Sequence, residues 1–496
     1  MTSQQITVLI ILIVYLVANV VIGLVYGKVR DSRSSLSKEN KYFIGGRGMN
    51  GLILAMTTMA TYTSVSSFVS GPGAGGMTYG YTQVWVAATQ VPVTFMVLGV
   101  LGNKLAIVSR RTGAVTVAGY LKARYKSDLL VVVTSLLMVV FFIVQMIGQF
   151  KGGATLVSVI TGMDYKIGLL IFAIVVVIYT AFGGFTAVVI TDTIQGLIMC
   201  LGTAILLISA FTAGGGLANI NANLAAKLPD VWDNLTGIFG PGTLLSYWIL
   251  VGFGTIGLPQ TAVRAMGFKN TKSLHSAMWI GAVTCAFVIV GMHLAGVWCG
   301  ALIDTSTLPN SDYFIPTVVL QIMPVGIAGL FLAAPLAAVM STVSSLLILA
   351  SAAIIKDIYR TYYVKDNAER QAKYEKNLSK FTIGGTLVVG IVTVLLALNP
   401  PDIIWVLNLF AMGGLECAFF WPLVGGLFFK KGTKQGAVAA SIGGAAFYIF
   451  AYYNVKVLGI NAVVWGLLVS AILFSVVCLA TCPKEGLDKD VLEKCF

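Results

Sequence analysis

The chain has 496 residues, 57% of them hydrophobic and only 10% charged, with a mean hydropathy of +0.90. Soluble domains carry about 25% charged residues, so a soluble protein is excluded and a polytopic membrane protein is implied; long continuous apolar runs also exclude an outer-membrane barrel, whose strands alternate. The formal net charge of +13 is not a nucleic-acid footprint, because the basic residues are confined to particular connections between apolar spans.

Apolar spans recur at 6–27, 50–74, 80–106, 128–160, 164–182, 190–213, 243–266, 274–302, 314–352, 379–398, 402–429, 435–453 and 458–482, giving an all-α protein with thirteen expected transmembrane helices. Each has about the 20 residues that a bilayer requires. The N-terminus MTSQQ lacks a basic region and its apolar run is long, so the first span reads as a retained helix, not a cleaved signal peptide. Alternate connections, starting after the first span, hold 28 of the 32 Lys and Arg residues, at 28–47, 104–126, 264–272, 356–380, 430–434 and 484–494. Only Lys151, Lys166, Lys227 and Lys456 fall elsewhere. The positive-inside rule then puts the N-terminus outside and the C-terminus in the cytoplasm of a plasma (inner) membrane, which requires an odd number of spans. The seven Cys are scattered with no CxxC, so reduced thiols are expected.

Two spans read as broken. The second runs AMTTMATYTSVSSFVSGPGAGG, hydroxyl-rich and then studded with Gly71, Pro72, Gly73, Gly75 and Gly76; the seventh runs WILVGFGTIGLPQTAVR, with Gly252, Gly254, Gly257 and Pro259. They lie five spans apart. Interrupted helices at matching places in two halves point to a secondary transporter built from inverted repeats. The expected organisation is an extra helix and cytoplasmic loop (1–49), a first five-helix repeat (50–213), an extracellular loop (214–242), a second repeat (243–429), and two further helices with a short tail (430–496).

The ninth span contains FLAAPLAAVMSTVSSLLILAS at 331–351. At 100° per residue, Ala338, Ser341, Thr342 and Ser345 share one helix face and Ser344 lies beside it. Oxygens on one stripe suit a small hard cation; the same hydroxyls can instead bond back to their own helix or to a neighbour, and both readings stand. Asp192, flanked by Thr191 and Thr193, is either a further ion ligand or the N-cap of the sixth span. Glu416 is either an ion ligand or an anchor between helices beside Gly413 and Gly414. Lys151 reads as snorkelling to the interface, with attraction of an anionic solute as the alternative, and His293 as a hydrogen-bonded structural residue, with a proton role as the alternative. Backbone carbonyls at an interrupted helix become available as ligands, so Tyr62, Thr63, Ser64, Ser66 and Ser67 are candidate solute contacts. Gln90, Gln149, Trp248, Gln260 and Asn408 sit in spans able to face the same cavity. No GxxxxGK[ST], HExxH or TVGYG run is present, which disfavours an ATP-driven pump, a zinc enzyme and a potassium channel.

YFIGGRGM at 42–49, the ATYTSVSSF and GPGA run at 60–74, YTAFGGF with TDTIQG at 179–196, GLPQTAVR at 257–264, AAVMSTVSSLL at 337–347 and KKGTKQGA at 430–437 resemble the sodium:solute symporter family over nearly the whole chain. FLAAPLAAVMST and the NLFAMGGLE and FFWPLV run are most similar to members that carry pantothenate. The resemblance implies a leucine-transporter-like fold with 5+5 inverted repeats and no enzymatic activity. It implies a sodium site at the carbonyls of Ala60, Thr63 and Ala338 with Ser341 and Thr342. A second sodium site, found in some members, maps to Asp192, Ser341, Ser344 and Ser345. Proline-carrying members have an Asp where this chain has Tyr62, which speaks against proline and suits an anionic cargo. The expected activity is sodium-coupled import of a small carboxylate by alternating access, pantothenate foremost, with another monocarboxylate, an amino acid or a sugar as the alternative. A membrane sensor and a passive channel are the readings from other classes. The expected partners are sodium, the anionic solute and the lipid bilayer, with no nucleic acid and a monomer as the working unit.

Overall fold

The computed structural model of the chain describes residues 3–32, 47–234, 238–365, 367–483 and 488–496. Residues 42–46 of the first family motif, and the basic residues Arg33, Lys38, Lys41 and Lys484, lie outside the described residues. In chain order the helices are α1 Ser3–Ser32, α2 Gly51–Tyr62, α3 Ser66–Tyr79, α4 Thr82–Thr112, α5 Val117–Tyr125, α6 Asp128–Thr161, α7 Tyr165–Ala213, α8 Leu217–Lys227 and α9 Pro241–Gly257. They continue with α10 Pro259–Ala265, α11 Thr271–Gly300, α12 Phe314–Ile322, α13 Val325–Val364, α14 Ala368–Ala397, α15 Ile404–Phe428, α16 Lys434–Asn454, α17 Ala462–Thr481 and α18 Lys489–Cys495. Among the described residues there are no strands; one isolated bridge joins Met49, just before α2, to Phe268, just after α10.

Among the described residues ten helices are long and apolar enough to cross a bilayer, or up to twelve when two bent pairs each count as one span. That tally does not confirm the expected thirteen, and it counts the 49-residue run of α7 once. The spans expected at 164–182 and 190–213 are the two helical stretches of α7, a 49-residue run kinked at the non-helical Gly184 (φ 66°, ψ −178°). At 1.5 Å per residue α7 would be about 73 Å long if straight, roughly twice what a hydrocarbon core of about 30 Å needs. Only glycine adopts that backbone conformation without strain.

The two bent pairs are the two expected broken spans. α2 and α3 meet at 73°, and α9 and α10 at 50°. α2 starts on Asn50, whose side chain accepts from the Ile53 amide at 2.9 Å, and stops where Thr63 turns extended (φ −74°, ψ 115°). The second break has a different cause. Pro259 opens α10; its ring disfavours helical geometry at the preceding residue, and Leu258 is extended (φ −74°, ψ 121°). The Thr261 hydroxyl spans the break by donating to the Leu258 carbonyl at 2.9 Å. At the centre runs α13, buried over 89% of its most apolar window and packed on α6, α7 and α1. α16 and α17 pack on each other at the periphery and meet the rest through α15.

Candidate functional site: an oxygen cradle and a cavity at two broken helices

Because α2 leaves helical geometry at Thr63, the carbonyl of Ala60 loses the amide that would otherwise satisfy it four residues on. The Ser341 hydroxyl takes that place, donating to Ala60 O at 2.9 Å and to Ala338 O at 3.1 Å. One residue further along α13, the Thr342 hydroxyl donates to Thr63 O at 3.4 Å. The Thr63 hydroxyl itself is buried without a hydrogen-bond partner. Three carbonyl oxygens and three hydroxyls thus converge where α2 ends against α13. Every donor is a neutral oxygen, the ligand type that hard cations take, and the unpartnered Thr63 hydroxyl leaves the cradle's polar groups incompletely satisfied. Among the described residues no cluster of three or more His, Cys, Asp or Glu offers a competing metal centre.

The second expected set is differently occupied. Asp192 lies inside α7 and caps no helix; its Oδ2 accepts from the Thr57 hydroxyl at 2.8 Å and from Arg264 Nη2 at 3.3 Å. This corrects the N-cap reading. Arg264 and Asp192 form an ion pair with no exposure on either side chain. The same Arg264 Nη2 donates to the Ser345 hydroxyl at 2.6 Å, and the Ser344 hydroxyl bonds back to Ser341 O at 3.2 Å. Arg264, the last residue of the GLPQTAVR motif, was not singled out from the sequence. The sequence counts it among the basic residues of the 264–272 connection, whereas it is buried inside α10.

A narrow cavity opens at the breaks, lined by Tyr62, Ser66, Ser67, Gln90 and Asn408 of the expected set and also by Gln83, Tyr247, His293, Trp405 and Met412. Its cavity volume is about 20 Å³. Tyr62 bridges the two broken helices, its hydroxyl donating to Val251 O at 2.7 Å and to Gln90 Oε1 at 3.2 Å. Gln145 donates to Asn408 Oδ1 at 3.0 Å and sets that amide's orientation. The His293 ring nitrogen Nδ1 lies 2.7 Å from Ile289 O, which leaves Nε2 against Gly71. Over one end of the cavity Trp405 stacks on Tyr247 (6.1 Å, 12°) and meets Tyr79 edge-on, while Phe239 touches both tyrosines.

Four other expected contacts do not line the cavity. Ser64 stays at the break and accepts from the Ser66 amide at 3.3 Å. Gln149 props the same break, its Oε1 accepting from the Val65 amide at 3.1 Å. Gln260 is buried in α10 with an unpartnered Oε1. Trp248 is 43% exposed and lies outside the cavity lining. Lys151 does not snorkel: it pairs with the fully buried Asp312 at 2.7 Å and is only 12% exposed. Asp312 also accepts from the amide of Ile404, the first residue of α15. Glu416 is fully buried, and neither of its carboxyl oxygens has a hydrogen-bond partner.

The profile of the family described as "SSF: Sodium:solute symporter family" matches residues 42–444. A sodium/pantothenate symporter of Escherichia coli (strain K12) is 43% identical over 476 residues, covering 95% of this chain and 96% of the relative. A sodium/pantothenate symporter of Haemophilus influenzae is 43% identical over 443 residues, covering 88% and 89%. A solved Na+-coupled sialic acid symporter in a substrate-bound outward-open state matches with a TM-score of 0.79 at 21% identity, over 97% of this chain and 99% of that one; that likeness is one of fold, and the fold is leucine-transporter-like. With a profile spanning most of its length and relatives aligned almost end to end, the chain belongs to the sodium:solute symporter family.

Proposed function

We propose that the protein imports a small carboxylate, pantothenate foremost, together with sodium by alternating access. The observation that carries the anionic cargo is the cavity wall: among the described residues lining it there is no Asp or Glu, and Tyr62 stands where a carboxylate would repel the solute. The amides of Gln83, Gln90 and Asn408 and the hydroxyls of Ser66, Ser67 and Tyr62 are the polar groups available to a hydroxyl- and amide-bearing acid. The names of the relatives in Escherichia coli and Haemophilus influenzae favour pantothenate over the other acids.

Sodium would bind at Ala60, Thr63, Ala338, Ser341 and Thr342 and tie the first broken helix to α13. Ion and solute then help each other only in so far as both prefer the same conformer. A second sodium at Asp192, Ser341, Ser344 and Ser345 would require Arg264 to withdraw from Ser345, because its guanidinium already neutralises Asp192. The reading therefore keeps one sodium. A tenfold sodium gradient is worth about 1.4 kcal/mol; one sodium with one monovalent anion moves no net charge, so accumulation is limited to about tenfold. The repeats, 50–213 and 243–429, would rock against one another, with the N-terminus outside and the C-terminus in the cytoplasm of the inner membrane, and one chain as the working unit.

Uptake of labelled pantothenate into proteoliposomes, with and without a sodium gradient, tests the reading. Sodium-dependent uptake that excess proline, sugars and lactate leave intact is expected. Uptake indifferent to sodium, or abolished by one of those competitors, rejects it.

A further inference from the structure

The hydrogen bonds already made around the cavity decide what each lining side chain has left to offer. His293, on α11, lines the cavity with its Nδ1 2.7 Å from Ile289 O. A carbonyl only accepts, so the proton of the neutral ring is on Nδ1 and Nε2 is left as an acceptor. Nε2 faces Gly71 of α3, where a Cβ would come within 2.6 Å of it. The glycine therefore leaves that nitrogen uncovered in the cavity wall. One turn along α3, a Cβ on Gly75 would come within 3.2 Å of Gln83 Cβ. Gln83, on α4, also lines the cavity, and its Oε1 is buried without a hydrogen-bond partner. Both acceptors thus lie along the same stretch of α3.

The amides of Gln90 and Asn408 have the opposite polarity. Gln90 Oε1 is taken by the Tyr62 hydroxyl at 3.2 Å, and Asn408 Oδ1 by Gln145 at 3.0 Å. What each has left is N–H. Asn408 Nδ2 rests on Met412 Sδ at 3.4 Å, and a thioether is a weak acceptor that a carboxylate outcompetes. Given the import of a small carboxylate proposed above, on which this rests, we infer that the cavity is polarised: the N–H groups of Gln90 and Asn408 take the carboxylate, and His293 Nε2 and Gln83 Oε1 accept from hydroxyl groups elsewhere on the solute. His293 is then a specificity-determining residue that selects hydroxylated acids over simple ones. A solute without the hydroxyl leaves a buried acceptor unpaired, and sites of this kind reject such a ligand strongly.

Binding to the purified full chain in saturating sodium tests this with pantothenate, the analogue in which hydrogen replaces both hydroxyls, and the alcohol in which a primary hydroxyl replaces the carboxylate. The parent protein is expected to bind pantothenate at least about tenfold more tightly than the deoxy analogue. His293→Phe should bring that ratio close to unity, while His293→Gln, which returns an acceptor near the position of Nε2, should keep most of it. Asn408→Asp keeps the acceptor for Gln145 but removes the N–H; it should weaken pantothenate at least about tenfold and the alcohol much less. A merely structural His293 would lower the thermal midpoint of the Phe variant and leave the ratio intact, which overturns the inference, as does a parent protein that binds the two acids equally. Should the Phe variant fail to fold, Gln83→Met, which removes the other acceptor, must lower the ratio; an unchanged ratio overturns the inference. If pantothenate does not bind at all, the cargo reading fails, and thermal shifts with glycerate against propionate and gluconate against hexanoate decide the polarity. A preference for the hydroxylated member that His293→Phe abolishes supports it, and no preference overturns it.

Discussion

The hydroxyl of Ser341 donates to the carbonyl of Ala60 across 2.9 Å, joining residues 281 positions apart. That contact exists because α2 stops short and exposes a carbonyl just where α13 presents a serine. Removing the oxygen should therefore weaken the ion and leave the fold in place. Ser341→Ala or Thr342→Ala is expected to raise the sodium concentration for half-maximal uptake by roughly tenfold or more, since hydrogen bonds and ligands to charged groups are worth about 1.5–3 kcal/mol. Sodium titration of solute uptake at matched protein levels checks it; unchanged activation in both variants removes them from the site.

Asp192 and Arg264 share a fully buried ion pair at 3.3 Å. Breaking one side leaves the other charge uncompensated, which costs about 3–5 kcal/mol, whereas replacing both with apolar groups is often neutral. Asp192→Asn should lower the thermal midpoint sharply in detergent, and Asp192→Leu with Arg264→Met should recover most of the loss. A stable Asp192→Asn protein with altered charge per solute would instead make Asp192 an ion ligand.

Glu416 faces the backbone of the second break. A Cβ on Gly254 would come within 2.3 Å of Glu416 Oε2 and 2.7 Å of Ile249 O. The carbonyl cannot swing away, so Gly254→Ala should cost about 1–3 kcal/mol by overpacking. Neither Glu416 oxygen has a hydrogen-bond partner that a neutral side chain of the same shape would lose. Glu416→Gln, close to it in shape, should stay within about 1 kcal/mol of the parent in unfolding experiments. A large destabilisation would mean that the ionised carboxylate is required.

The tail helix α18 is clipped to the connection between α4 and α6. Lys126 pairs with Asp488 at 2.6 Å and Asp490 at 3.5 Å, Arg111 donates to Glu493 O at 3.0 Å, and Cys495 is buried beneath. The Asp488 carboxyl is held below its ordinary value of 3.8 chiefly by the hydrogen bond from Lys126; for Asp490 the partner is first Lys494. Groups lowered in the docked state favour docking above the ordinary value and lose that contribution as pH falls through the docked one. Cys495 should react slowly with a pyridyl disulfide from pH 7 to pH 5, and faster below about pH 3.8 or in 1 M salt, where the screening length falls to about 3 Å. Fast labelling at every pH would mean that the tail is not docked.

Much of this was written in the sequence. Apolar runs declare bilayer spans because lipid leaves a helix no other way to satisfy its backbone. Proline fixes the conformation before it, so the break at Leu258 is readable from GLPQ alone. The Ala338, Ser341 and Thr342 stripe follows from helical periodicity. These are local properties, settled within a turn or two of chain.

What only the tertiary structure decided is which polar groups meet. Nothing near Asp192 in sequence announces Arg264, 72 residues on, and nothing near Lys151 announces Asp312. Gln149 and Ser64 hydrogen-bond at the break and lie outside the cavity lining, and Trp248 is turned outward, because the rotation of each helix is set by its neighbours' side chains. At Gly184 one non-helical residue kinks α7 between the two spans expected there. Burial in a membrane makes an unpaired charge costly, so packing must find each one a partner. The sequence lists the charges; only the assembled helices choose the pairs.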